Sequence, residues 1–99
     1  MKPEPASDLR TVRVRLEGRV QGVGFRYWTE RTATDLGLDG WVRNRRDGGV
    51  EAVFAGRGRD VALMIERCRS GPPAARVDFV KVMEETASPG EGFAVRHTV

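Results

Sequence analysis

The stretch Gly18-Arg19-Val20-Gln21-Gly22-Val23-Gly24-Phe25-Arg26 constrains the fold more than any other part of the chain. Before it, Thr11 to Leu16 alternates, with Val12, Val14 and Leu16 on one face and Arg13 and Arg15 on the other. That period of two predicts a half-buried strand. After it, Phe25, Trp28, Thr29, Thr32, Ala33 and Leu36 recur at helical spacing and predict a helix from Phe25 to Leu36, stopped by Gly37. The chain therefore passes from strand to helix through three glycines within seven residues. Glycine lets the backbone enter φ > 0 and lets a ligand come close. Successive N–H groups in such a bend converge on an anion, and the helix N-terminus adds unpaired N–H groups and partial positive charge. Arg26 adds a planar fork of donors suited to phosphate or carboxylate oxygens. The stretch reads as an oxyanion cradle, with phosphate the best fit.

Two local rules are broken at this one place. An arginine in the first helical turn opposes the macrodipole, at about 0.3–1 kcal/mol. No Ser, Thr, Asp or Asn stands directly before Phe25 to cap the helix. Such breaks mark functional sites. The plainer reading is a glycine-rich tight turn with a surface arginine; it explains the glycines but not an arginine at an uncapped helix start.

Gly40 to Arg46 and Val50 to Ala55 predict two further strands, joined by the tight turn Asp47-Gly48-Gly49. In the first of them Val42 and Asn44 share the core side, while Trp41, Arg43 and Arg45 share the other, where arginine stems can cover Trp41. Asn44 then either braces a loop or faces the anion site and binds a water or substrate. An unpaired buried amide costs about 1–3 kcal/mol, so it needs partners. Asp60 is the expected N-cap of a second helix, Val61 to Arg69, with Val61, Met64, Ile65 and Cys68 as its buried stripe. Ser70-Gly71-Pro72-Pro73 ends it. A fourth strand carries Val77, Phe79 and Lys81 on one face and Asp78, Val80 and Val82 on the other. Phe93 to Thr98 is a short last strand, with His97 exposed on it.

The order βαββαβ plus a terminal strand gives two split βαβ units with right-handed crossovers. The expected class is α+β: a ferredoxin-like two-layer α/β sandwich, with two helices on one face of a mostly antiparallel sheet. The first and third strands then share the middle, the second lies beside the third, and Asn44 comes near the mouth of the glycine loop.

Composition narrows the function. A chain of 99 residues, 39% hydrophobic, suits one modest core. Residues 1–9 are expected as a flexible arm and residues 10–99 as the domain. Met1 to Asp8 is polar, contains Pro3 and Pro5, and lacks the apolar segment of a signal peptide, so a cytoplasmic location is expected. No apolar run reaches membrane-spanning length. Cys68 is the single cysteine; it excludes an intrachain disulfide and reads as a small buried hydrophobe rather than a nucleophile. One cysteine and one histidine offer no metal-ligand spacing. The net charge of +3 invites anionic partners in general. Acidic residues are interspersed throughout, so nucleic-acid binding is not implied.

The chain resembles the acylphosphatase family. The resemblance is carried by Gly18 to Arg26, by Gly40-Trp41-Val42-Arg43-Asn44, by Asp47-Gly48-Gly49-Val50-Glu51, and by Gly71-Pro72-Pro73 and Gly92-Phe93-Ala94-Val95-Arg96. It extends from about Thr11 to the end. It implies hydrolysis of acyl phosphates, the mixed anhydrides of a carboxylic acid and phosphate, with no metal or organic cofactor. It implies phosphate binding by Arg26, placement of the attacking water by Asn44, and a backbone cradle from Gln21, Gly22, Val23, Gly24 and Phe25. The expected partner is a small acyl phosphate, with no nucleic acid, no membrane and a monomeric protein. Two other classes share the plan. An RNA-binding module needs exposed aromatics on its central strands, which Val50-Glu51-Ala52-Val53-Phe54-Ala55 does not supply. A regulatory domain would bind an acyl or carbamoyl phosphate without turning it over; a chain this short is expected instead to be a free-standing hydrolase.

Overall fold

Val12, Val14 and Leu16 are fully buried, because the strand that carries them, β1 (Leu9–Arg19), runs through the middle of a sheet. The computed structural model describes residues 8–99. β1 is followed by α1 (Phe25–Asp35), β2 (Asp39–Asn44), β3 (Val50–Arg57), α2 (Gly58–Cys68), β4 (Arg76–Glu84) and β5 (Phe93–Val95). The sheet order is β4-β1-β3-β2-β5. β1 is antiparallel to β3 and β4, and β2 is antiparallel to β3, while β5 runs parallel to β2. The result is the expected ferredoxin-like α+β sandwich, with a fifth strand that makes the sheet mixed. Residues 1–7 of the expected arm lie outside the described residues; Leu9 already pairs with Arg57 in the sheet.

One core joins the two layers. Phe25 and Ala33 of α1, with Val61, Met64, Ile65 and Cys68 of α2, pack on Val12, Val14, Leu16, Val42, Val50, Ala52 and Phe54 of the sheet. Each large apolar side chain buried this way contributes about 1.5–3 kcal/mol. Trp28 sits at the core edge, against the Phe25 ring at 5.3 Å. Cys68 is part of this packing; burial pushes its thiol up to about 12, so it is no nucleophile at neutral pH.

Three local expectations give way. In β4 neither simple alternation holds, because Glu17 faces Phe79 while Gly18 faces Val77, leaving Asp78 as an extra residue in a bulge. The bulge resets the phase. Val77, Val80 and Val82 all face the core, and Phe79 is left 51% exposed. Gly18 has to be glycine here, since a Cβ would lie 2.3 Å from the Arg76 carbonyl oxygen. In α2 the helix starts at Gly58, not Val61, with Arg57 as N-cap and no side-chain cap bond. β3 continues through Gly56, paired with Arg10, and turns straight into the helix, so Asp60 falls inside the first turn. Its charge still suits the dipole there. β5 ends at Val95 rather than Thr98, and His97 is exposed beyond it.

The sheet face away from the helices carries the arginines that alternation places there. Arg43, Arg96 and Arg13 stack on the Trp41 ring at 4.6, 4.7 and 5.4 Å and leave it only 6% exposed. Glu51 is the anionic centre, bridged to Arg43 at 2.7 Å, Arg13 at 3.0 Å and Arg45 at 3.3 Å. Burial pushes its carboxyl pKa up, but hydrogen bonds from Arg43 and Arg13 outweigh burial and hold it below the ordinary range. A depressed folded-state pKa stabilises the fold above the unfolded value, and that contribution is lost as pH falls through the folded value. Glu51→Gln is therefore expected to cost about 1–3 kcal/mol at pH 7. The cost should shrink as pH falls below the ordinary carboxylate range, and vanish once the wild-type carboxyl is itself protonated in the folded state. Urea unfolding between pH 3 and 7 reads both, and a cost unchanged across that range contradicts the assignment.

Candidate functional site

The glycine loop leaves β1 and enters α1 through two left-handed residues, Gly22 at φ 73° and Gly24 at φ 78°. Side-chain-bearing residues rarely adopt this conformation, which is why glycine stands at both positions. Gly24 is the N-cap of α1, and no side chain caps the helix. No acidic residue lies in its first turn. The first intrahelical acceptance is from Trp28 N–H to the Gly24 carbonyl, at 3.0 Å. The N–H groups before Trp28 at this end therefore have no partner within the helix and remain available to an external acceptor.

Arg26 extends from that same turn. It is half-buried and makes no ion pair or hydrogen bond among the described residues. The contrast with the paired arginines of the opposite sheet face is sharp: Arg13, Arg15, Arg43 and Arg45 each hold a carboxylate.

Sheet register brings in Asn44. Leu16 of β1 and Asn44 of β2 both lie opposite Val50 of β3, so the three form one row across the sheet. Neighbouring strands are about 4.8 Å apart, which puts Asn44 roughly 10 Å from Leu16. Leu16 and Val50 face the helices and are buried, and Asn44 shares their phase. It is the last residue of β2, where the strand opens toward the loop. Its side-chain amide makes no hydrogen bond among the described residues. The alternative of Asn44 bracing a loop therefore has no bond to support it.

These groups meet at a cavity of about 220 Å³ lined by Val20, Gly22, Gly24, Phe25, Arg26, Tyr27 and Asn44. Among the described residues the lining contains one guanidinium, one primary amide, one phenol and no carboxylate. Of the expected cradle residues, Gly22, Gly24 and Phe25 line it, whereas Gln21 and Val23 do not. Val23 packs against the core instead. The Gln21 side chain turns away to the β2–β3 turn, donating to the carbonyls of Arg45 and Gly49 at 2.6 and 2.8 Å. Val20 and Tyr27 were not singled out in the sequence. Val20 is 1% exposed and forms part of the apolar floor, and Tyr27 is 67% exposed at the rim. Apolar periodicity carries no signal for either role. The turn itself is held by Asp47, whose carboxylate accepts the Gly49 N–H at 3.0 Å and pairs with Arg15. The Gly49 bond, then Arg15, hold that carboxyl below its usual range. Among the described residues no cluster of His, Cys, Asp and Glu could hold a metal ion.

A donor-lined cavity at a strand-to-helix turn of a ferredoxin-like sandwich, with no carboxylate among the described residues, has the form of a small oxyanion-binding domain suited to phosphoryl chemistry. Comparison with known proteins makes the class specific. The acylphosphatase family model matches residues 12–95. A Nitrobacter hamburgensis protein named acylphosphatase is 58% identical over 90 residues, covering 85% of this chain and 91% of its own length. The structure of an acylphosphatase from Coxiella burnetii matches with TM-score 0.87 and 34% identity, over 91% of this chain and 95% of that one. The acylphosphatase from Bacillus subtilis matches with TM-score 0.83 and 36% identity, over 89% and 98%. The chain belongs to the acylphosphatase family, and its activity is of that type.

Proposed function

We propose that the chain hydrolyses acyl phosphates at this cavity, by attack of a water on phosphorus. The observation that carries the reading is one cavity lined by an unpaired guanidinium, an unbonded amide and an uncapped helix N-terminus. Arg26 and the N–H groups of Gly22 to Phe25 hold the phosphoryl oxygens, and these donors strengthen their grip as charge develops on the phosphoryl group. The Asn44 amide orients the water. The water oxygen forms a bond to phosphorus, the phosphorus–oxygen bond to the acyl group breaks, and the carboxylate leaves with the electron pair. Its conjugate acid has a pKa of about 4, so it departs without a general acid. The water's proton passes to a phosphate oxygen of the substrate. Phosphoryl transfer of this kind depends chiefly on positioning and electrostatics, both of which these donors supply.

The cavity has room for a phosphoryl group and a water, and the acyl group lies beyond its rim near Tyr27. Broad acyl tolerance follows. In this reading the protein is a monomer acting on a diffusing cytoplasmic substrate, without nucleic acid. Among the described residues, no helix is long and apolar enough to cross a membrane.

The test is phosphate release from benzoyl phosphate and acetyl phosphate in the presence of EDTA. Release from both, at rates within about a hundredfold of each other, is the expected result. A folded protein that binds benzoyl phosphate and leaves it intact is a binder, and the hydrolase reading then fails.

A further inference from the structure

The β1–β3 ladder ends at Leu16 opposite Val50, and the β2–β3 ladder ends at Asn44 opposite Val50. Past that row β1 runs on beside β4 to Arg19 before the glycine loop leaves the sheet, while the Asp47-Gly48-Gly49 turn leaves it beyond Asn44. The two segments carry the two halves of the site: the cradle on one side and the end of β2, with Asn44, on the other. Gln21 ties them together. Its Nε2 donates to the Arg45 carbonyl at 2.6 Å and to the Gly49 carbonyl at 2.8 Å. Two carbonyls require a donor, so the nitrogen of the amide is the atom that faces them, and both of its N–H groups are used. The Gly49 carbonyl also accepts the Arg45 N–H at 2.8 Å, so the bond lands on the closing pair of the turn. Arg45 is the residue directly after Asn44.

We propose that Gln21 is a positioning residue for the hydrolysis: its side chain fixes the separation between the phosphate cradle and Asn44. The proposal rests on the reading of the site given above. Its chemistry follows from the reaction, because water must sit in line with the departing carboxylate. A displacement of about 1 Å in such a geometry can cost up to a hundredfold in rate. Phosphate binding uses Arg26 and the loop N–H groups, none of which depends on where the β2–β3 turn sits. Loss of the tie should therefore affect rate and spare phosphate affinity.

Gln21→Glu keeps the shape, removes both donors and sets a carboxylate against two carbonyls. It is expected to lower kcat for benzoyl phosphate about tenfold or more, while the inhibition constant for inorganic phosphate stays within about twofold. Gln21→Lys, which restores a donor of similar reach, should return kcat to within about threefold of wild type. Combined with Asn44→Ala, Gln21→Glu should add little, because its effect passes through Asn44. Wild-type kcat in Gln21→Glu overturns the proposal. So does a phosphate inhibition constant that rises in step with the rate loss, or losses that multiply in the double variant. Circular dichroism confirms that each variant is folded. If wild type itself fails to turn over, the hydrolase reading falls, and the tie is still judged by the side-chain amide resonances of Asn44. They move in Gln21→Glu if Gln21 positions Asn44, and stay in place if it does not.

Discussion

Arg26→Ala is expected to lower kcat/KM for benzoyl phosphate about a thousandfold or more, with the fold intact. Among the described residues Arg26 is the only cationic side chain lining the cavity, and no carboxylate there neutralises it. In the proposed reading its removal takes away a bidentate hydrogen bond and the full positive charge facing the phosphoryl oxygens. The backbone cradle stays, so a weak phosphate site survives. Arg26→Lys should recover only part of the loss, since an ammonium supplies charge without the planar fork. Steady-state kinetics and competitive inhibition by inorganic phosphate measure both effects. An Arg26→Ala variant that keeps wild-type phosphate affinity would assign phosphate binding elsewhere.

Asn44→Ala is expected to behave differently. Its kcat should fall about a hundredfold while phosphate inhibition changes by no more than about threefold. The amide lies on the core-facing row of the sheet, across from β1, and reaches the cavity without helping to anchor the loop. In the proposed reading it holds a water rather than the chain. Full kcat in a folded Asn44→Ala protein would remove its role in orienting water.

That Arg26 and Asn44 would line one cavity was legible in the sequence for different reasons. Arg26 was visible because it breaks helix rules locally, and the structure has the uncapped N-terminus that the missing Ser, Thr, Asp or Asn foretold. Asn44 was visible through phase: the period of two puts it with Val42, and the β2–β3 register carries it to the row of Val50 and Leu16. The same alternation placed Trp41 beneath arginine stems. What was hidden depends on contacts between distant segments. The β4 bulge follows from how Gly18 approaches the Arg76 carbonyl, which no periodicity within β4 records. Asp60 was misread as a cap because β3 runs on through Gly56, held there by Arg10 on another strand. The Gln21 side chain binds carbonyls 24 and 28 residues away, and a backbone carbonyl has no sequence identity to reveal it.

The central claim is that the phosphoryl group sits between the start of α1 and Asn44. It is tested most directly by titrating the 15N-labelled wild-type protein with inorganic phosphate, the reaction product, and following its amide resonances. The backbone amides of Gly22 to Arg26 and the side-chain amide of Asn44 are predicted to shift together, saturating with the same constant that inhibits benzoyl phosphate hydrolysis. Shifts confined to the arginine-covered face around Trp41, or a cradle that stays unmoved at saturating phosphate, would contradict the account.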